Sequence, residues 1–263
     1  MKPDYGNWVP KGMVGGFFGG FAAAAVLFFA LGCSPLLPDA TLKTVLFLVL
    51  LALTLVLGVA ACWMLYMHRA FSYTGTRQMA RQVIEGIAEH VTLPEGGVGL
   101  DVGCGSGALA IACAKRNPQG RMVGIDRWGK EYGAWSKGLC ERNAEAERLT
   151  NVTFAKGDAV KLDYPDECFD AVTSNYVYHN IPLADRQALL LETLRTLKKG
   201  GVFAIHDIMS RRRYGDMDAF AKKLRDMGYE DVRVIDTTDG LFMTPREAAT
   251  MDLAGSKLLV GRK

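Results

Sequence analysis

Apolar positions follow three different rhythms along this chain. From Val14 to Leu31, and again from Val45 to Met67, they run almost unbroken, with no ionisable side chain other than Cys62 and Tyr66. At a rise of ~1.5 Å per residue either run is long enough to cross a ~30 Å hydrocarbon layer. The link Gly32-Cys-Ser-Pro-Leu-Leu-Pro-Asp39 holds the glycine and prolines that stop one helix and turn the chain. The pattern predicts a transmembrane hairpin over residues 1–69, followed by a second domain over 70–263. Between Ala70 and His90 the apolar residues Met79, Val83, Ile84 and Ile87 keep a helical period, which Pro94-Glu-Gly-Gly breaks. Short apolar runs then alternate with amphipathic ones. Strands are predicted near 98–102, 121–126, 152–156, 169–174 and 201–206, and helices near 108–116, 130–148, 184–198 and 216–227. This alternation predicts an α/β domain with a doubly wound parallel sheet.

Composition sharpens the picture at the N-terminus. Hydrophobic residues make up 49% of the chain, and the excess lies in the two apolar runs. Lys2 and Lys11 precede the first run, and His68, Arg69, Arg77 and Arg81 follow the second, against Lys43 alone in the link. That bias predicts a two-span membrane protein with both termini and the second domain on the cytoplasmic side. Trp8, Trp63 and Tyr66 stand where interfacial rings are expected. Gly15, Gly16, Gly19 and Gly20 suit close packing of the first helix on the second or self-association with another molecule; a flexible start to the span is the plainer reading. A secretory signal ending at Ala30-Leu-Gly-Cys33 is the alternative for the first run. A net charge of only +3, nearly balanced outside the hairpin, argues against nucleic acid as a partner. Six cysteines without a Cys-x-x-Cys pair predict reduced thiols, with no disulfide framework and no metal site.

The chemistry concentrates at Asp101-Val-Gly-Cys-Gly-Ser-Gly107, where a strand runs into glycines and then a helix. Gly103, Cys104, Gly105 and Gly107 let a ligand approach the backbone closely. Asp126, with Arg127 behind it, closes the next strand, where a carboxylate accepts both hydroxyls of a ribose. Gly103-x-Gly105-x-x-Ala108 also satisfies a relaxed dinucleotide fingerprint, so a nicotinamide-dependent oxidoreductase is a competing reading. Asp101 stands against it, since a carboxylate at the strand tip repels a pyrophosphate and attracts the ammonium of an amino acid. Asp158 and Ala159, after a third strand, offer a further carboxylate to the amino group of an adenine. Trp128 is placed to lie along that adenine, or equally to be an ordinary core or surface indole.

With these motifs in order, residues from about Gln78 to Lys263 resemble a class I S-adenosylmethionine-dependent methyltransferase. The Asp101–Gly107 loop resembles the family's first motif, Asp126 its ribose-binding acid and Asp158 its adenine-binding acid. Phe169–Asn175 resembles its fourth strand and Leu197–His206 the lead into its fifth. The resemblance implies a Rossmann-like fold whose last two runs, 231–236 and 256–261, form an antiparallel terminal hairpin around a short helix near 244–251. It also implies S-adenosyl-L-methionine as cofactor, S-adenosyl-L-homocysteine as product, and Asn175 as a cofactor neighbour. Asn175-Tyr-Val-Tyr departs from the Asn-Pro-Pro-Tyr of enzymes that methylate base or glutamine nitrogens, so the small-molecule and lipid-quinone branches are closer.

If the acceptor is a phenol, thiol or amine its proton needs a base. His179, just past the fourth strand, is the first choice and His206, on the fifth, the second, each set against a purely structural role. Tyr73, Tyr176 and Tyr178 are candidates to wall the acceptor pocket or cover the cofactor. The run Ser210-Arg-Arg-Arg-Tyr214 reads either as a solvated turn or as a contact for anionic headgroups or an acidic acceptor. The expected activity is methyl transfer to a small lipophilic acceptor at a membrane, with a tethered cofactor-binding protein lacking catalysis as the alternative.

Overall fold

The computed structural model describes residues 2–33, 40–129, 135–182 and 185–263. The predicted turn over 34–39, the start of the predicted helix 130–148 and residue 184 of the next lie outside the described residues. The chain divides into two compact units, residues 7–80 and residues 1–6 with 81–263.

The first unit contains two long apolar helices, α1 (Lys11–Leu27), continued by a π-helical turn at Phe28–Gly32, and α2 (Ala40–Ala70). Both are long and apolar enough to cross a membrane, and their side chains are largely exposed, with Val26 66% and Val59 71% accessible. The hydroxyls of Thr44 and Thr54 donate to carbonyls one turn back, as polar groups on an apolar helix must. α1 meets α2 through small-on-large contacts, the Phe21 ring lying 3.1 Å from where a side chain on Gly58 would start. The predicted glycine stripe does not make this contact: Gly15, Gly16 and Gly19 face nothing within 4 Å, and only Gly20 approaches Leu57. At the other end, Asn7 Nδ2 donates to the His68 carbonyl and His68 Nδ1 bonds Val9 O at 2.7 Å. The start of α1 and the end of α2 therefore share one end of the hairpin.

Helix α3 (Met79–Ala88) begins with the last two residues of the first unit and ends at Ala88, shorter than the predicted run to His90; the rest of the second unit follows it. The strands are β1 (Val98–Val102), β2 (Arg121–Asp126), β3 (Val152–Lys156), β4 (Phe169–Asn175), β5 (Leu197–Ile208), β6 (Glu230–Asp236) and β7 (Ser256–Arg262). They form one sheet in the order β3-β2-β1-β4-β5-β7-β6, with β7 antiparallel to both neighbours. This is the doubly wound α/β sheet with an antiparallel end that the pattern and the resemblance predict. The helices are α4 (Ala108–Arg116), α5 (Lys137–Ala146), α6 (Arg186–Arg195), α7 (Arg211–Tyr214), α8 (Met217–Asp226) and α9 (Pro245–Thr250).

Strand alternation sorts the faces. Leu100 and Val102 of β1 and Val172 of β4 enter a core shared with Leu190, Leu194, Phe220 and Leu224 of α6 and α8. Asp101 and Thr173, register partners, project from the opposite face, where Asp101 meets α4. β5 starts at Leu197, inside the stretch predicted as helix. A register irregularity between its pairings to Phe169 and Ala171 takes up Lys198–Gly201, with Gly200 at φ +79°.

Candidate functional site

The carboxyl ends of β1 to β5 carry the predicted site residues. At the glycine loop, the amides of Gly103 and Cys104 both donate to Ile125 O, at 2.8 and 2.9 Å, and that of Gly105 donates to Asp126 Oδ2 at 2.9 Å. Three successive N–H groups are therefore turned into the fold. They do not form a cradle for a pyrophosphate. Gly103 combines φ +72° with a missing Cβ that would lie 2.3 Å from Val177 Cγ2, so the loop and the segment after β4 pack as close as backbone allows. Gly107 is the N-terminal flank of α4 and provides no cap of its own.

Asp101 provides that cap from β1. Its Oδ2 accepts the Ala110 amide at 3.1 Å and its Oδ1 the Thr173 hydroxyl at 2.9 Å. It is 1% exposed, and burial pushes its carboxyl up to about 7 against the pull of those bonds. The side chain expected to meet an ammonium group faces α4 and β4, and its bonds to Ala110 and Thr173 tie the end of β1 to both.

Asp126 is partly exposed, and its Oδ1 accepts the Trp128 amide at 2.7 Å. Trp128 in turn donates Nε1–H to Gly105 O at 3.0 Å, so this indole folds back on the glycine loop. Arg127 and Asp158 are exposed and Ala159 is partly buried, with Asp158 Oδ1 accepting the Val160 amide at 2.9 Å. Cys104 is buried beneath the loop, and burial pushes its thiol well up.

The two histidines separate cleanly. His206 is wholly buried, with Nδ1 on Asn175 Oδ1 at 2.8 Å and Nε2 on the Thr237 hydroxyl at 2.9 Å. Burial lowers its pKa to about 3, so the ring is neutral with both nitrogens occupied. The second choice of base is thus corrected: His206 is a structural residue that fastens β5 to Asn175 and to Thr237 beyond β6. His179, in a short 3-10 turn at Tyr178–Asn180, keeps 16% of its side chain exposed. Its Nδ1 lies 2.5 Å from Asp207 Oδ1, and its backbone amide donates to Asp207 Oδ2 at 3.0 Å.

Asp207 is wholly buried at the end of β5. It also accepts the Tyr214 hydroxyl at 2.7 Å and the Ile208 amide at 2.7 Å. Burial pushes its carboxyl up, but the bonds from His179, Tyr214 and the Ile208 amide outweigh this and hold it below the usual range. Behind His179, the Arg186 guanidinium donates to the carbonyls of Tyr178, His179, Ile181 and Arg213. The Ser210–Tyr214 run is therefore neither a simple solvated turn nor a headgroup contact alone: Arg211 and Arg212 are exposed, while Tyr214 points inward to Asp207. Tyr178 is fully buried in the core, with its hydroxyl 2.6 Å from Thr193 Oγ1. Tyr176 stays beside the histidines, its ring 4.6 Å from that of His206, and Tyr73 belongs to the hairpin unit. The pairing of His179 with Asp207 spans 28 residues of sequence, and an acid at the end of β5 was its only advance signal. Among the described residues no cluster of three or more His, Cys, Asp or Glu side chains is placed to hold a metal ion.

A Rossmann-like seven-stranded sheet with this glycine loop defines the class of domain. Residues 94–234 match the family described as "Methyltransferase domain", and the chain belongs to that family. It is 36% identical over 111 residues to the demethylmenaquinone methyltransferase of Lactobacillus johnsonii, covering 42% of this chain and 43% of that protein. It is 31% identical over 136 residues to the 27-O-demethylrifamycin SV methyltransferase of Amycolatopsis mediterranei, covering 52% and 47%. The matches thus span less than half the length of these curated relatives. Among solved structures, the fold is shared with the [4+2]-cyclase SpnF at a TM-score of 0.54 and 21% identity, covering 73% of this chain and 85% of that one. It is also shared with a geranyl diphosphate methyltransferase in complex with GPP and sinefungin, at 0.53 and 15%, covering 77% and 81%.

Proposed function

We propose that this chain is an S-adenosylmethionine-dependent methyltransferase, held at a membrane by its two-helix hairpin, that methylates a small lipophilic acceptor. The observation that carries the reading is the His179–Asp207 pair at the same end of the sheet as the glycine loop and Asp126. The residues fit a sulfonium cofactor better than a nicotinamide dinucleotide. The loop amides point inward, and a buried carboxyl group, Asp101, occupies the start of α4 where a pyrophosphate would need positive potential. Asp126 and Asp158 retain oxygen lone pairs for ribose hydroxyls and an adenine amino group.

When bound, S-adenosylmethionine supplies a methyl group activated for displacement by its positively charged sulfur. The task left to the chain is to align the acceptor atom, exclude water and take a proton. His179 Nδ1–H donates to Asp207, which fixes the tautomer with its free lone pair on Nε2. That nitrogen takes the proton of a phenol or other protic acceptor. Asp207, already ionised, stabilises the imidazolium that forms, as the carboxylate does in hydrolytic triads. Relatives whose names specify demethylmenaquinone and a rifamycin support an apolar acceptor, as does the hairpin.

The test supplies labelled S-adenosylmethionine and the full chain with reduced quinols, sterols and polar amines in detergent micelles. Label should enter an organic-extractable phenol or quinol. His179→Ala should lower turnover by roughly 10²- to 10⁴-fold with cofactor affinity kept. Cofactor binding without label in any acceptor would favour a tethered, non-catalytic binding protein. Equal turnover by His179→Ala would remove that residue as the base.

A further inference from the structure

The chain ahead of the first apolar helix is built into the catalytic unit. Residues 1–6 belong to that unit, although Asn7, the next residue, opens the hairpin unit. Asn143 of α5, 2% exposed, accepts the Asp4 amide at 2.8 Å and returns a bond to the Asp4 carbonyl at 2.9 Å. Its same amide nitrogen also reaches Ser106 O, inside the glycine loop, at 2.9 Å. One buried side chain thus holds both the N-terminal segment and the loop. Tyr5, itself buried, donates its hydroxyl to Glu147 at 2.9 Å, and Glu147 is paired with Lys115 at the end of α4.

Trp135 makes the second link. A Cβ on Gly6 would stand 2.9 Å from its Nε1, and a Cβ on Gly105 would stand 3.1 Å from its Cε3 and Cζ3. The indole is therefore wedged by its two rings between the N-terminal segment and the middle glycine of the loop. A side chain would displace the indole at Gly6 and crowd it at Gly105, and both residues have positive φ, +71° at Gly6 and +54° at Gly105.

We propose that residues Asp4–Gly6 are a positioning element of the cofactor site, which through Asn143 and Trp135 hold the glycine loop in its binding conformation. The inference rests on the reading of that loop as the S-adenosylmethionine site. Because a loop held from outside binds without first being ordered, docking of the segment and binding of the cofactor must strengthen each other by the same factor. Asn143 and Trp135 are positioning residues in this scheme.

The experiment measures S-adenosylhomocysteine affinity by calorimetry, and amide exchange over residues 2–9, in the full chain and in Gly6→Ala. In wild type the ligand should slow exchange at the Asp4 and Gly6 amides. Gly6→Ala pushes Trp135 away without touching the core. It should weaken affinity roughly two- to tenfold, the range for losing one neutral contact, and raise KM for S-adenosylmethionine while leaving kcat. Ligand binding with unchanged exchange in wild type overturns the proposal even where the variant fails to fold, and so does equal affinity in a folded variant. If wild type binds no S-adenosylhomocysteine, the cofactor reading itself fails and this inference falls with it.

Discussion

Asp101 and His206 are both buried and titrate in opposite senses, so their effects on stability oppose each other. The carboxyl of Asp101 is raised from 3.8 to about 7 by burial. The folded chain holds its proton over that window while the unfolded chain has released it, so stability falls as pH rises from about 4 to 7. His206 is lowered from 6.5 to about 3, again by burial. The unfolded chain gains that proton first, and its contribution is lost as pH falls from 6.5 toward 3. Asp101→Asn stays neutral, can still accept the Ala110 amide, and removes only the first of these slopes. Its unfolding free energy relative to wild type should rise by about 2 kcal/mol between pH 5 and pH 7, at ~1.4 kcal/mol per pH unit. Parallel denaturant curves for the two proteins across that range would show that Asp101 is not the group responsible. In the sequence these residues looked like a ligand contact and a base. What the letters hide is where each side chain points: an acid at a strand tip serves a ligand or a helix N-terminus depending on the neighbouring helix, and α4 takes it here.

At the scale of elements, strands with unbroken apolar runs were legible to within a residue or two, because a buried central strand leaves few other uses for such a run. β5 was less so. Leu197 keeps the helical rhythm of Leu190 and Leu194, yet it pairs with Phe169, because Thr196 ends α6 and Gly200 at positive φ lets the chain turn into the sheet. The segment after β4 shows the same limit. Its histidine was visible, but the Arg186 clamp on four carbonyls and the Asp207 pairing come from elements remote in sequence. Gly103 tests how tightly this segment and the glycine loop are mated. Gly103→Ala would place a methyl 2.3 Å from Val177 at φ +72°, straining backbone and packing together. We expect cofactor affinity to fall by about tenfold or more and stability by roughly 1–3 kcal/mol, read by calorimetry and denaturant unfolding. Gly103→Ala with Val177→Ala should recover affinity in part, since the second change removes the clash and leaves the φ cost. Wild-type binding in Gly103→Ala alone would mean that the loop and the β4 segment are not closely packed in the binding state.

For the whole molecule, the two long apolar helices were legible from their unbroken apolar runs. The docking of residues 2–6 was not, because it depends on Asn143 and Trp135, far along the chain. The catalytic unit is joined to the hairpin unit at two peptide bonds, Gly6–Asn7 and Ala80–Arg81, one before and one after the helix pair along the chain. A two-span topology with cytoplasmic ends therefore keeps both joins on one face and leaves the residues around Cys33 on the other. Cysteines report this directly: Cys33 is exposed, Cys168 partly so, and Cys104, Cys113 and Cys140 are buried. A membrane-impermeant maleimide applied to intact expressing cells should label Cys33 and spare Cys168. Permeabilisation should add Cys168, more slowly because burial raises its thiol pKa and so lowers its thiolate fraction. Cys33→Ser should abolish the signal from intact cells. Label on Cys168 before permeabilisation would place the catalytic unit outside, away from cytosolic cofactor. The signal-peptide alternative makes a separate demand, because cleavage before Cys33 removes residues 1–32 and with them Asp4, Tyr5 and Gly6. Such a product would lack the docked segment as well as the first span. A full-length mass for the membrane-extracted protein, combined with outward labelling of Cys33, is the outcome that a two-span anchor requires.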